Sequence, residues 1–245
     1  MKLHNKKYIF VYLILLVFIF TVLNMNVSIK QGIDGKYRVI NMPLYVKGIE
    51  FLARHYEYTR ITKEIVSGLK SDEEKTLAIF KWTHENIKQE IPKGLPVVDD
   101  HVLNIIIRGY STNDQSHDVF TTLCAYANIP AFWEEVYDNA HKIWYPISFV
   151  KINGRWCVFD PYLGKYFKNR NGEIASVDDV LRDKSLIAAQ GADKIVYEGI
   201  PYEEFYHNIK PFDKNRTLRP YKQMPGRRIW FELKRFLGIE KPYAM

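Results

Sequence analysis

"RGYSTNDQSHDVFTTLCAYANIP", residues 108–130, sets the fold. Val119, Phe120, Leu123 and Ala127 recur at helical spacing, so the segment predicts a helix over 114–127 with one apolar face. "NIP" at 128–130 stops it and turns the chain. Three strand-like stretches follow: "AFWEEVYD" (131–138), "WYPISFVKI" (144–152) and "RWCVFDPY" (155–162). Asn153-Gly154 between the last two is a strong short hairpin signal. A helix that feeds an antiparallel sheet defines the fold class as α+β.

Outward from this segment, Ser71-x-x-Glu74 is a capping box, and it opens a helix that Pro92 and Pro96 close off with a loop. Val102–Ile107 reads as a short buried helix. Ser176-x-x-Asp179 caps another, "VDDVLRDKSLIAAQ". Val46–Arg54 and Thr62–Leu69 read as two short helices, and 30–45 as a juxtamembrane linker. The expected organisation is a cytoplasmic tail (1–7), a transmembrane signal anchor (8–28), a linker with N-terminal helices (29–70), a core (71–190), and a C-terminal strap with a basic amphipathic helix (191–245).

The chain has 245 residues, 47% of them hydrophobic and 26% charged. That balance argues against a disordered chain. The formal net charge is +7, and Lys2, Lys6 and Lys7 supply three of those charges. The remainder does not call for nucleic acid, and no nucleic-acid-binding signature is present. "YIFVYLILLVFIFTVL" (8–23) predicts a single-pass membrane helix of roughly 20 residues, and the preceding lysines place the N-terminus in the cytoplasm and the domain outside. A cleaved signal peptide, giving a secreted protein, is the alternative. "NMNVSIKQG" lacks a small-residue cleavage site, which favours the anchor.

His141 lies between two strands, Asp160 stands before Pro161, and the 114–127 helix begins about thirty residues before the histidine. A helix start, an imidazole and a carboxylate that converge form the arrangement that activates a thiol. "AIFKWTHENI", "FTTLCAYANIPA", "AHKIW" and "INGRWCVFDPYLG", together about residues 71–165, resemble the transglutaminase-like superfamily with its papain-like fold. The resemblance implies a catalytic Cys seventeen residues before Pro130, a position held by Asn113. It carries the family histidine to His141 and the aspartate to Asp160. The His141-to-Asp160 gap is slightly longer than the family pattern. Asn has no ionisable thiol, so the expectation is a non-catalytic binding or assembly module at the cell envelope.

Other nucleophiles have weaker claims. Cys124 is eleven residues on from Asn113, about 16 Å along the helix axis. Cys157 is expected on the sheet face opposite Asp160 and away from the helix, so no disulfide is expected and both thiols read as core packing. Ser111 or Ser116 with His141 and Asp160 would make an amide hydrolase or acyl transferase, the alternative function. Glu134, Glu135 and Asp138 could supply an acid–base pair but fit a solvated strand edge. Asn113 itself suits an N-cap. Tyr110, Gln115 and Trp144, with Trp133 and Tyr145, are expected to line a cleft for a peptide or polysaccharide. No metal site or cofactor is expected. "GRRIWFELKRFLGIEK" (226–241) carries Ile229, Trp230, Leu233, Phe236 and Leu237 on one side, and Arg227, Arg228, Lys234 and Arg235 on the other. It is expected to close the domain with its apolar face or to lie on the membrane, which would make a structural membrane-surface protein.

Overall fold

The structure, a computed structural model, describes residues 3–33, 36–95, 97, 99, 101–138, 141–207, 209 and 219–239. The chain divides into two compact units, Met1–Arg54 with Val98–Asp100, and His55–Val97 with His101–Met245.

The first unit opens with helix α1 (Leu3–Asn24). The large apolar side chains described in it, from Tyr8 to Leu23, are exposed. Among the described residues no helix is long and apolar enough to cross a membrane; side chains of α1 are described from Tyr8 onward. Of the residues 8–28 expected to form a membrane span, those up to Asn24 are helical and those from Asn26 begin the next strand. A hairpin of β1 (Asn26–Ile33) and β2 (Lys36–Pro43) follows, paired from Asn26↔Pro43 to Ile33↔Lys36. The expected linker at 30–45 is therefore mostly strand, and the two strands carry the β-branched residues Val27, Ile29, Ile33, Val39 and Ile40. Helix α2 (Leu44–Ile65) is one continuous helix where two were expected.

The second unit begins at His55 rather than at Ser71, because Tyr58, Ile61 and Thr62 of α2 are already buried in it. Helix α3 (Asp72–Asn86) starts as its capping box requires. Ser71 accepts from the Glu74 N–H at 3.1 Å, and the Glu74 carboxylate accepts from the Ser71 N–H at 3.0 Å. Helices α4 (Val102–Arg108) and α5 (Asn113–Tyr126) come next. Then β3 (Ala131–Asp138), β4 (Ile143–Ile152), β5 (Arg155–Asp160) and β6 (Lys165–Tyr166) form an antiparallel meander in chain order. The β4–β5 turn is Asn153-Gly154, both at positive φ (50° and 81°), which the right-handed strand twist favours. It pairs Ile152 with Arg155 and Ser148 with Phe159.

The two sheet faces have separate cores. On one, Val119, Phe120, Leu123 and Cys124 of α5 pack with Val150, Ile152, Cys157 and Phe159. Phe80 of α3 sits edge-on to Phe120, ring centroids 5.7 Å apart. The expectation that Cys157 faces away from the helix is corrected: it shares this core with Cys124, though both thiols are free. On the other face, Tyr145, Ile147, Phe149 and Val158 pack against α6 (Val177–Arg182), α7 (Ser185–Ala188) and later elements. One helix was expected across 177–190. It breaks at Asp183 (φ −136°, ψ 87°), whose carboxylate instead accepts from the Ser185 N–H and hydroxyl.

A two-residue pair, β7 (Val196–Tyr197) and β8 (Ile200–Pro201), leads into α8 (Tyr202–His207). The strap expected over 200–225 is thus partly helical, and its residues 210–218 lie outside the described residues. Tyr202, Phe205 and Tyr206 enter the second core because the i, i+3, i+4 spacing puts them on one helix face. The final helix is α9 (Pro225–Phe236).

Candidate functional site

Asn113 is the first residue of α5, not its cap; Thr112 caps the helix. Gln115 accepts from the Thr112 N–H at 3.3 Å and also from the Arg108 guanidinium. Asn113 is 8% exposed, and neither its amide nitrogen nor its amide oxygen has a partner of hydrogen-bonding geometry. The groups its amide faces are the Tyr145 and Tyr197 hydroxyls.

Asp160 ends β5 and is fully buried. Its Oδ2 accepts from the Tyr145 hydroxyl and from the Tyr202 hydroxyl, the latter at 2.6 Å. Its Oδ1 accepts from the Leu163 N–H at 2.9 Å. Tyr202 in turn meets the Tyr206 hydroxyl. Burial raises the Asp160 pKa, and the hydrogen bonds from Tyr145, Tyr202 and the backbone of Leu163 and Tyr162 oppose that rise. Burial also holds the Tyr145, Tyr202 and Tyr206 phenols well above their usual range, and the Asp160 charge adds to it. These phenols act as donors, not as acids.

His141 does not join this cluster. It lies in the β3–β4 turn, its side chain 47% exposed, and its Nδ1 meets the Asp138 carboxylate. The register sets Asp160 level with Ile147. Asp138 is level with Ile143. Those positions are four residues apart on β4, about 13 Å. The expected His141–Asp160 pair is therefore corrected. The place between Asn113 and Asp160 belongs to Tyr145.

A different histidine approaches Asp160. His117, one turn into α5 from Asn113, is fully buried. Its Nδ1 lies 2.8 Å from the Ser148 Oγ, and its Nε2 lies 3.7 Å from Asp160 Oδ1. A lone pair on Nε2 would face the carboxylate and be repelled. The favoured tautomer therefore carries its proton on Nε2, with Ser148 donating to Nδ1. Burial pulls the His117 pKa down to about 3, so the ring is neutral at physiological pH. Ser148, His117 and Asp160 have the residue types of a hydrolase triad, yet all three are 0% exposed. A nucleophile without access to solvent has no access to a substrate.

The other expected nucleophiles are also closed. The Ser111 and Ser116 hydroxyls, both buried, bond each other at 2.6 Å rather than His141. Burial raises the Cys124 thiol well above its usual pKa and pushes Cys157 up to about 11. The expected cleft is corrected too. Tyr110 is buried with its carbonyl accepting from Arg108 at 2.9 Å, and Gln115 is 1% exposed at the helix cap. Only Trp144 is open, 57% exposed and packed on Tyr137 with ring centroids 4.5 Å apart. Of the acidic residues, Asp138 is committed to His141, and burial raises the Glu135 pKa with help from Asp114. Among the described residues no cluster of His, Cys, Asp or Glu could hold a metal ion.

Sequence reasoning placed Tyr145 in an aromatic groove rather than beside Asp160, and it missed His117, Ser148 and Tyr202. For Tyr145, a signal existed. The Asn153-Gly154 turn fixes the register, and counting back from Asp160 reaches Ile147 and its same-face neighbour Tyr145, well short of His141. His117 stands four residues after Asn113, on the same helix face. Nothing local ties Tyr202 to Asp160, forty-two residues away.

No protein-family model matches the chain, and no curated protein does. Three solved structures are similar in part. One is a candidate cysteine protease from Cytophaga hutchinsonii, 17% identical with a TM-score of 0.38, where 49% of this chain covers 40% of that one. Another is a candidate protease from Parabacteroides distasonis, 14% identical with a TM-score of 0.37, where 55% covers 35%. The third is a TGase, 13% identical with a TM-score of 0.32, where 55% covers 43%. The chain thus spans less than half the length of each.

Proposed function

We propose that this chain is a membrane-anchored, transglutaminase-like domain without catalytic activity, a binding or assembly module at the cell envelope. One observation carries the loss of chemistry: Asn113, Tyr145 and Asp160 occupy a buried cluster without a thiol, and the one imidazole that reaches it, His117, is buried with its Nδ1 held by the Ser148 hydroxyl. A phenol held above its usual pKa cannot take a proton from a nucleophile at neutral pH. The anchor rests on α1. Its apolar stretch, residues 8–23, extends about 24 Å, most of the roughly 30 Å hydrocarbon core of a bilayer. Its bare apolar side chains need a non-aqueous neighbour. The domain then lies outside the cytoplasm by the charge of Lys2, Lys6 and Lys7. The Trp144–Tyr137 pair is the aromatic surface best suited to a peptide or polysaccharide.

The test is covalent labelling of the full chain in mild detergent, read by intact mass. Fluorophosphonate should leave no adduct. An adduct on Ser111, Ser116 or Ser148 that vanishes in His117→Ala or His141→Ala would sink the proposal. Asn113→Cys should give a thiol with a raised pKa that alkylates slowly at pH 6, since it gains no base. The pair Asn113→Cys with Tyr145→His should alkylate readily there, with a thiol pKa below about 7.5. Fast labelling of the single variant at pH 6 would show that a working base is already present.

A further inference from the structure

Helix α9 is mounted the opposite way to a closing helix. Its one buried residue is Phe231, which faces the domain with the Lys222 ammonium 4.1 Å above its ring. At 3.6 residues per turn, Ile229, Trp230, Leu233, Phe236 and Leu237 fall on an arc of about 120° on the other side. All five are exposed, Phe236 to 87%. The expectation that this apolar face would pack on the domain is thereby corrected. The helix docks through its polar side and turns its greasy side outward.

The charges around that face favour one kind of neighbour. Arg227 and Lys234 border the Trp230 edge, and Lys234 reaches the Trp230 ring at 5.6 Å. On the back, Arg228 and Arg235 both engage Glu232, the helix's one carboxylate, at 2.6 and 3.1 Å. Four cations thus stand against a single acid. A protein groove would ask only for apolar complementarity. A cationic flank with Trp at the boundary matches a layer of anionic headgroups above acyl chains, where long basic side chains reach up to phosphates while their stems cover apolar surface.

We propose that the exposed face of α9 lies in the surface of an anionic bilayer, with Ile229, Leu233 and Phe236 in the acyl boundary and Lys234 at the phosphates, while Arg227, stacked on the Tyr221 ring at 3.9 Å, adds its charge behind it. The inference rests on the reading of α1 as an anchor, which keeps α9 within reach of lipid.

The full chain is reconstituted into vesicles of phosphatidylcholine alone or with phosphatidylglycerol, each with or without brominated acyl chains. The Trp230 contribution is the difference between the wild type and Trp230→Phe. In anionic vesicles that contribution should be quenched, and in neutral ones much less. Lys234→Glu should shift the engaged-to-free ratio about tenfold toward free, and Phe236→Asp should abolish quenching. Both sites are on the surface, so the fold is untouched. Flotation on a density gradient reads α1 separately. A chain that floats while Trp230 stays unquenched in anionic vesicles overturns this inference alone. A Trp230 emission that is unquenched yet blue-shifts with protein concentration assigns the face to a second copy and overturns it too. A chain that does not float overturns both readings.

Discussion

Asp160→Ala should cost about 3–4 kcal/mol of stability, through several buried donors left without an acceptor at about 1–3 kcal/mol each. The Tyr145 and Tyr202 hydroxyls and the Leu163 N–H all donate to that carboxylate. Neither phenol can turn to water, because Tyr145, Tyr202 and Asp160 are 0% exposed. The loss is smaller than the sum, since removing the carboxylate also relieves the desolvation that raises its pKa. Asp160→Asn separates these effects. Its amide oxygen can take the place of Oδ2 and accept both phenols, while its NH2 meets the Leu163 N–H donor to donor. It should cost about 1–2 kcal/mol. Urea unfolding in mild detergent, followed by tryptophan fluorescence, measures both. If Ala proves no worse than Asn, the phenol pair does not depend on the carboxylate.

The second large effect is a loss of stability in mild acid, from His117. Its folded pKa of about 3 lies below the ordinary 6.5, so below pH 6.5 the unfolded chain binds more protons than the folded one. The stability contributed by this neutral ring is therefore complete above pH 6.5 and falls as the pH drops toward 3. The slope is about 1.4 kcal/mol per unit, or about 2–3 kcal/mol by pH 4.5. Asp160 acts in the opposite sense. Its raised pKa makes the folded state the better proton binder, so its protonation restores stability as the pH falls through that value. The carboxylates held low by local hydrogen bonds, Glu74, Asp179 and Asp183, lose their contribution only below about pH 4.5. Glu74, Asp179 and Asp183 thus stay out of the window from 6.5 to 4.5, and any Asp160 titration within it opposes the histidine. His117→Gln should be less stable than wild type at pH 7 and should lose the acid-side fall that the histidine causes across that window. A His117→Gln midpoint that falls between pH 6.5 and 4.5 as much as the wild type's would mean that the imidazole is not sealed as the packing indicates.

Much of the second unit was legible before any coordinates. Ser71-x-x-Glu74, the stripe on α5 and Asn153-Gly154 are local devices, and each fixes its element through neighbours a few residues away. The site was legible only in part. Asn113 and Asp160 come together around Tyr145, but His141, which the resemblance carried over through "AHKIW", is kept out by the turn-defined register. The α8 phenols were out of reach, since a segment rich in Tyr, Pro and charge carries no mark of where it will dock. The break at Asp183 and the joining of two helices into α2 are likewise decided by tertiary packing and side-chain bonds that outweigh propensity.

Cys124 and Cys157 sit in a single oily compartment between helix and sheet, unlinked, each protonated because its surroundings reject a thiolate. Exchange with glutathione or an oxidoreductase begins from the anion, so both sulfurs are kinetically deaf to the redox state around them. The chain can therefore mature in an oxidising or a reducing compartment without a pairing enzyme, and its durability rests on packing rather than on cross-links.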